Sequence, residues 1–224
     1  MELTDALRRA AFGAALVAVT LTLTAWAGPA THLPCPRRGA EVLASNKLVR
    51  VYAYPSTKER YPRPRRSEAC LVGRGTRMTL FDPESDEGRH PRFSVVALSG
   101  TLVAYSISHH GTDSGGSRLL LANVKARRIL RELPGEGFVD AGFAGGTYRT
   151  DLVLDPSGSA ALIEERVGPV SERTDSFVVR AAPLGGEELL LDEGPDIEPH
   201  SLRLRSGTLS WQNAGVTRTA RLTP

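Results

Sequence analysis

A chain of 224 residues with 41% hydrophobic and 24% charged side chains is long enough to bury a core as one domain of ordinary size, without metals or several cross-links. Its formal charge is only +3, and its basic residues are spread along the chain instead of forming one periodic face, which excludes a nucleic-acid footprint. The 22 glycines and 15 prolines call for many turns and an all-β chain.

At the N-terminus, Arg8 and Arg9 precede an uncharged apolar run from Ala10 to Ala27, and Ala25-Trp26-Ala27 supplies the small-x-small pattern that a signal peptidase reads. Residues 1–27 therefore read as a signal peptide or, left uncleaved, as a membrane-anchor helix at the lower length limit for spanning a bilayer. Either way the rest is expected to be extracytoplasmic, secreted or associated with the cell envelope. Residues 28–39 form a linker and residues 40–224 a repeat domain. The apolar residue expected two positions after a twin-arginine pair arrives one late, and Cys35 lies too far beyond the apolar run for a lipoprotein cleavage box. In an oxidising compartment Cys35 and Cys70 are expected to join. No C-x-x-C spacing accompanies them, so metal ligation is not indicated.

From Ala40 onward a pattern recurs: a short apolar run, a Ser-Gly or Ser-Asn turn, and a second apolar run. The turns are Ser45-Asn46, Ser99-Gly100, Ser157-Gly158 and Ser206-Gly207, at spacings of 54, 58 and 49 residues that suit a four-stranded unit. The first copy predicts strands over Glu41 to Ala44, Leu48 to Tyr54, Glu68 to Val72 and Arg77 to Phe81, with a long hairpin at Pro55 to Ser67. The second gives Ser94 to Leu98, Thr101 to Ser108, a polar hairpin at His109 to Gly116, Ser117 to Asn123 and Arg128 to Leu133. The third gives Asp151 to Asp155, Ala160 to Arg166, Ser176 to Ala181 and Glu188 to Asp192. The last supplies Ser201 to Leu204, Thr208 to Gln212 and Val216 to Leu222, one strand short, and residues Leu33 to Ala44 are expected to lend the missing strand.

Leu119-Leu120-Leu121, Leu152-Val153-Leu154, Phe177-Val178-Val179 and Leu189-Leu190-Leu191 are apolar at consecutive positions, where a strand with one wet face would alternate. Such strands need cover on both faces. Radially stacked blades provide it, so the expected fold is all-β, a propeller-like array of about four four-stranded antiparallel blades, with a β-sandwich as the alternative. The segments L-S-G-T-L-V-A-Y-S-I with S-R-L-L-L-A-N-V-K-A-R-R-I-L-R-E-L, and L-D-P-S-G-S-A-A-L-I-E-E with D-S-F-V-V-R-A-A-P-L-G-G-E-E-L, resemble blades of the TolB-type propeller repeat. The closing segment from Ser201 is similar to the ends of secreted proteins of high-GC actinobacteria. The resemblance implies a binding scaffold of the cell envelope and carries over no functional residue.

The densest basic stretch, Lys58, Arg60, Arg63, Arg65 and Arg66 interleaved with Tyr54, Tyr61 and prolines, is the candidate contact loop for phosphate, anionic lipid or an acidic cell-wall polymer, with a solvated hairpin kept extended by proline as the alternative; the expected partner is a protein or envelope polymer. Asp113-Ser114-Gly115-Gly116 has the look of a serine-protease nucleophile segment, but His109 and His110 are too close along the loop to place an imidazole across a cleft. His109, His110, Asp113 and His200 lack metal-ligand spacing. Asp151, Asp155, Glu164 and Glu165 make a glycosidase pair only if two converge, and adjacent Glu164 and Glu165 face opposite ways, which favours surface charge. The expected function is a non-enzymatic binding module without catalytic residue, metal or cofactor. Its alternative is an extracytoplasmic hydrolase of carbohydrate or peptide.

Overall fold

The computed structural model describes residue 35 and residues 38–55, 65–82, 92–110, 114–134, 138–139, 146–167 and 176–222. The apolar N-terminal run lies outside the described residues, which contain strands and turns but no helix.

Four antiparallel meanders follow one another along the chain. The first sheet runs β1 (Glu41–Ser45), β2 (Val49–Pro55), β3 (Arg65–Leu71) and β4 (Arg77–Phe81). The second comprises β5 (Arg92–Ser99), β6 (Leu102–His110), β7 (Ser114–Asn123) and β8 (Arg128–Pro134), with the two-residue β9 (Phe138–Val139) against the start of β7. The third has β10 (Gly146–Leu154), β11 (Ala160–Val167), β12 (Ser176–Ala182) and β13 (Leu189–Gly194); the fourth has β14 (Arg203–Arg205), β15 (Thr208–Asn213) and β16 (Val216–Arg221).

The repeat is visible in the ladder irregularities. In each of the first three sheets the register slips once between strands one and two, at Leu43, Val95 and Thr150 of strand one, and once between strands three and four, at Leu80, Leu130 and Leu191 of strand four. Bulges bend a strand and increase its twist, so a shared pair gives the three sheets a common curvature. The turns also match the sequence. Ser206 and Gly207 both have positive φ, 48° and 75°, as a primed hairpin turn requires. Asn46 instead accepts the amides of Leu48 and Val49 on its side-chain oxygen.

Strand alternation explains the consecutive apolar residues. Val103, Tyr105, Ile107, Leu120 and Ala122 pack toward the first sheet against Val49, Val51 and Leu71. Their neighbours Ala104, Leu119 and Leu121 pack toward Leu152, Leu154 and Leu162 of the third. Ala161, Ile163 and Val179 of that sheet then meet Leu209 and Trp211 of the fourth. The two middle sheets are thus covered on both faces. The first strands touch in succession, β1 with β5, β5 with β10 and β10 with β14.

Four expectations are corrected. Leu189 and Leu190 are 50% and 55% exposed, because β13 is the outer edge of its sheet and only Leu191 turns inward. The polar hairpins are shorter than expected: His109 pairs with Gly116 and His110 with Gly115, while Pro55 pairs with Arg65. Ladder bonds join backbones, so polar side chains do not end them. Residues 41–45 pair only with β2 and β16 only with β15, so among the described residues no borrowed strand completes the last sheet; residues 33, 34, 36 and 37 of the expected donor segment lie outside them. Glu164, expected on the surface, is 3% exposed.

Gly158 shows how closely the second and third sheets meet. Its φ is +94°, and an added Cβ would lie 3.1 Å from Leu184 and 3.4 Å from Leu121. Gly158→Ala is expected to destabilise the fold by more than about 1 kcal/mol, read as a lower urea midpoint. An unchanged midpoint would mean that this turn is not held as described.

Candidate interaction surface

The proposed contact loop leaves β2 after Tyr54 and Pro55 and re-enters β3 at Arg65 and Arg66. Lys58, Arg60, Tyr61 and Arg63 lie outside the described residues. Arg65 and Arg66 are not loop residues but the first two positions of β3.

On the two strands that carry the loop stands a hydrogen-bonded aromatic platform, on the face of the first sheet that points away from the second. Glu68, 4% exposed, accepts the hydroxyl of Tyr52 at 2.7 Å and that of Tyr54 at 2.5 Å. The two rings stack with centroids 6.2 Å apart. Burial, and then the hydrogen bond to Glu68, push the Tyr52 hydroxyl far above its ordinary titration range, so it stays protonated. The Arg66 guanidinium sits 6.0 Å from the centre of the Tyr54 ring, with Nε 3.7 Å from Glu68 and 3.6 Å from Asp82. Strand alternation sets this up, since Tyr52 pairs with Glu68 and Tyr54 with Arg66. Arg66 is thereby a positioning group whose charge is shared with carboxylates.

Beside the platform, Cys35 and Cys70 form a disulfide with Cα atoms 6.2 Å apart, as the compartment argument expects. The Cys35 carbonyl accepts Arg50 Nη1 at 3.1 Å, which holds the incoming segment to β2.

The other carboxylates are engaged in building the fold. Asp151 accepts the amides of Leu152 and Leu202, tying the segment before β14 to β10. Asp155 accepts Ser157 Oγ at 2.6 Å and the Ser159 amide at 3.0 Å, closing its own turn. Glu164 lies between two guanidiniums, with Arg149 Nε at 3.1 Å and Arg180 Nε at 3.3 Å, and Arg149 also donates to Ser106 of the second sheet. Burial lowers the Arg149 pKa, and Glu164 opposes that shift. Sequence reasoning missed this network; the usable signal was that one member of an adjacent Glu pair on a central strand must face inward. Glu165 is half-buried and pairs across the ladder with Tyr148 and Phe177.

Asp192 joins the third and fourth sheets by accepting Trp211 Nε1 at 2.7 Å and Asn213 Nδ2 at 3.0 Å. Burial raises its pKa, but these hydrogen bonds, together with one from the Glu193 amide and the nearby Arg218 charge, more than offset that, and the carboxyl is held below its ordinary 3.8. A depressed carboxyl stabilises the fold above its unfolded pKa and loses that contribution as pH falls through the folded one. Acid unfolding below about pH 4 should therefore be milder in Asp192→Asn than in the parent, relative to each protein's stability at neutral pH. Identical pH profiles would exclude this role.

His200 is exposed, and its carbonyl accepts Arg203. Among the described residues no three His, Cys, Asp or Glu side chains cluster as metal ligands. Ser114 opens β7, paired opposite Val139, instead of crowning a turn. Ser114→Ala is expected to change stability by no more than about 0.5 kcal/mol. Fluorophosphonate labelling that vanished in this variant and on denaturation would instead identify a nucleophile.

No family model matches the chain, and no curated protein matches it either.

Proposed function

We propose that this chain is a non-enzymatic, extracytoplasmic binding module, a propeller-like array of TolB-type blades that presents the β2–β3 loop to a protein or acidic polymer of the cell envelope. The observation that carries this reading is how the carboxylates are spent: Glu68, Asp151, Asp155, Glu164 and Asp192 each accept hydrogen bonds or ion pairs from the fold itself. A hydrolytic pair needs two carboxyls facing a shared substrate space. The paired bulges common to three sheets support the repeat, and the Cys35–Cys70 bridge is consistent with an oxidising compartment. The aromatic platform on the two strands that carry the loop supports its use as a contact, because rigid strand ends lower the ordering cost of binding.

The test is a photo-crosslinking side chain at Tyr61 in cells, with and without reversal of Lys58, Arg60 and Arg63 to glutamate. Adducts with an envelope component that disappear on charge reversal are expected. Adducts no more abundant than from a site at Thr217 would reject the loop, and hydrolysis of an envelope glycan or peptide by the purified protein would reject the non-enzymatic reading.

A further inference from the structure

The opposite end of the first two sheets carries a second surface that the contact-loop reading does not use. Four turns line up there: 46–48, 72–76, 100–101 and 124–127. Hydrogen bonds between them fix the alignment, from the Val72 amide to the Leu48 carbonyl, from the Val124 amide to the Thr101 carbonyl, and from Asn46 Nδ2 to the Gly100 carbonyl across the two sheets. Lys47, Arg74, Lys125 and Arg127, with Arg128 at the start of β8, are exposed on these turns, which contain no aspartate or glutamate. None of the five side chains hydrogen-bonds or ion-pairs with another described residue. Among them stand three apolar side chains facing water, Leu48 at 51% exposure, Val72 at 41% and Ile129 at 41%. The matching turn of the third sheet holds Glu187 and Glu188, so the basic surface belongs to the first two sheets.

From this we infer that the end formed by these four turns docks on an anionic lipid bilayer, with the cations at the headgroups and Leu48, Val72 and Ile129 at the acyl boundary. Mixed cationic and apolar character is what an interface of anionic headgroups over hydrocarbon rewards, whereas a soluble polyanion has no use for the exposed apolar groups. The chain's own connectivity agrees. With residues 10–27 left uncleaved as an anchor, Cys35, which is bonded to Cys70 two residues before Val72, lies eight residue steps from the end of the apolar run, a reach of no more than about 29 Å. The β2–β3 loop leaves the opposite end of the first sheet, so docking keeps it clear for a partner.

Hydrogen exchange on the full chain, reconstituted in phosphatidylcholine vesicles with and without phosphatidylglycerol, tests this. Amides of the four turns are expected to exchange at least about fivefold more slowly with the anionic lipid, the effect of a single cation near such a surface. The protection should fade in high salt as screening shortens the field. It should also disappear in a K47E/R74E/K125E/R128E variant, which leaves the left-handed Arg127 in place (φ 53°) and is checked for folding by circular dichroism. Equal exchange in both vesicle types, or protection that survives charge reversal in a folded variant, would overturn the inference. Inorganic polyphosphate protecting the same turns as strongly would overturn it too, by assigning the surface to a soluble polyanion.

Discussion

Replacing Glu164 by glutamine is expected to destabilise the protein by about 3 to 5 kcal/mol, among the largest effects of any single side chain. The carboxylate is 3% exposed and lies between Arg149, whose side chain is 1% exposed, and Arg180. Burying a charge is tolerated only when it is paired, and the glutamine leaves two guanidiniums facing each other in a water-poor interface. Because Arg149 also donates to Ser106 on the second sheet, the loss should loosen the seam between the second and third sheets. The diagnostic comparison is Arg149→Met/Glu164→Leu/Arg180→Met, which removes the charges together. Apolar replacement of such a triad is often neutral or stabilising, so this variant should be markedly more stable than the single one. Urea unfolding followed by circular dichroism reads both. A cost below about 1 kcal/mol for the single change would mean that water reaches the network.

The strand order was legible from the sequence because two local signals agreed, apolar runs and turn residues at matched intervals. The turns at Ser99-Gly100, Ser157-Gly158 and Ser206-Gly207 stand where the repeat puts them, each with its glycine at positive φ. Consecutive leucines such as Leu119-Leu120-Leu121 correctly announced cover on both faces, since their side chains divide between the first and third sheets. The same argument failed at Leu189-Leu190, because an apolar run does not reveal whether its strand is central or at an edge. The bulges were illegible: Leu43, Val95 and Thr150 share no residue type, and their common position exists only in the hydrogen-bonded register.

The surface was legible as charge and not as geometry. The basic stretch was found, yet the ladder takes Arg65 and Arg66 into β3 and gives Arg66 the carboxylates of Glu68 and Asp82. Tyr52 and Tyr54 meet on Glu68 only because the cross-strand register places Tyr52 opposite it, and register is not written in either strand alone. The turn cations Lys47, Arg74, Lys125 and Arg128 are far apart in sequence and become one surface only when the two sheets align their ends.

Replacing Cys35 by serine is expected to cost about 3 to 4 kcal/mol, because the bridge to Cys70 closes a span of 35 residues whose freedom in the unfolded chain is otherwise large. Cys35 is the informative partner to change. It is half-buried, so the serine hydroxyl can reach water, whereas Cys70 is 0% exposed and a hydroxyl there adds a desolvation penalty of about 1 to 3 kcal/mol. Cys70→Ser should therefore be the less stable of the two, by an amount that reports burial alone. The cross-link also tethers the segment whose carbonyl receives Arg50, so the variant should expose β2 to faster amide exchange near Arg50 and Tyr52 before the other sheets are affected. Urea midpoints of the parent, of both variants, and of the parent in reductant with its free thiols counted by mass would read the effect. A fully reduced parent that unfolds at the same midpoint as the oxidised one would show that the bridge contributes nothing to the fold.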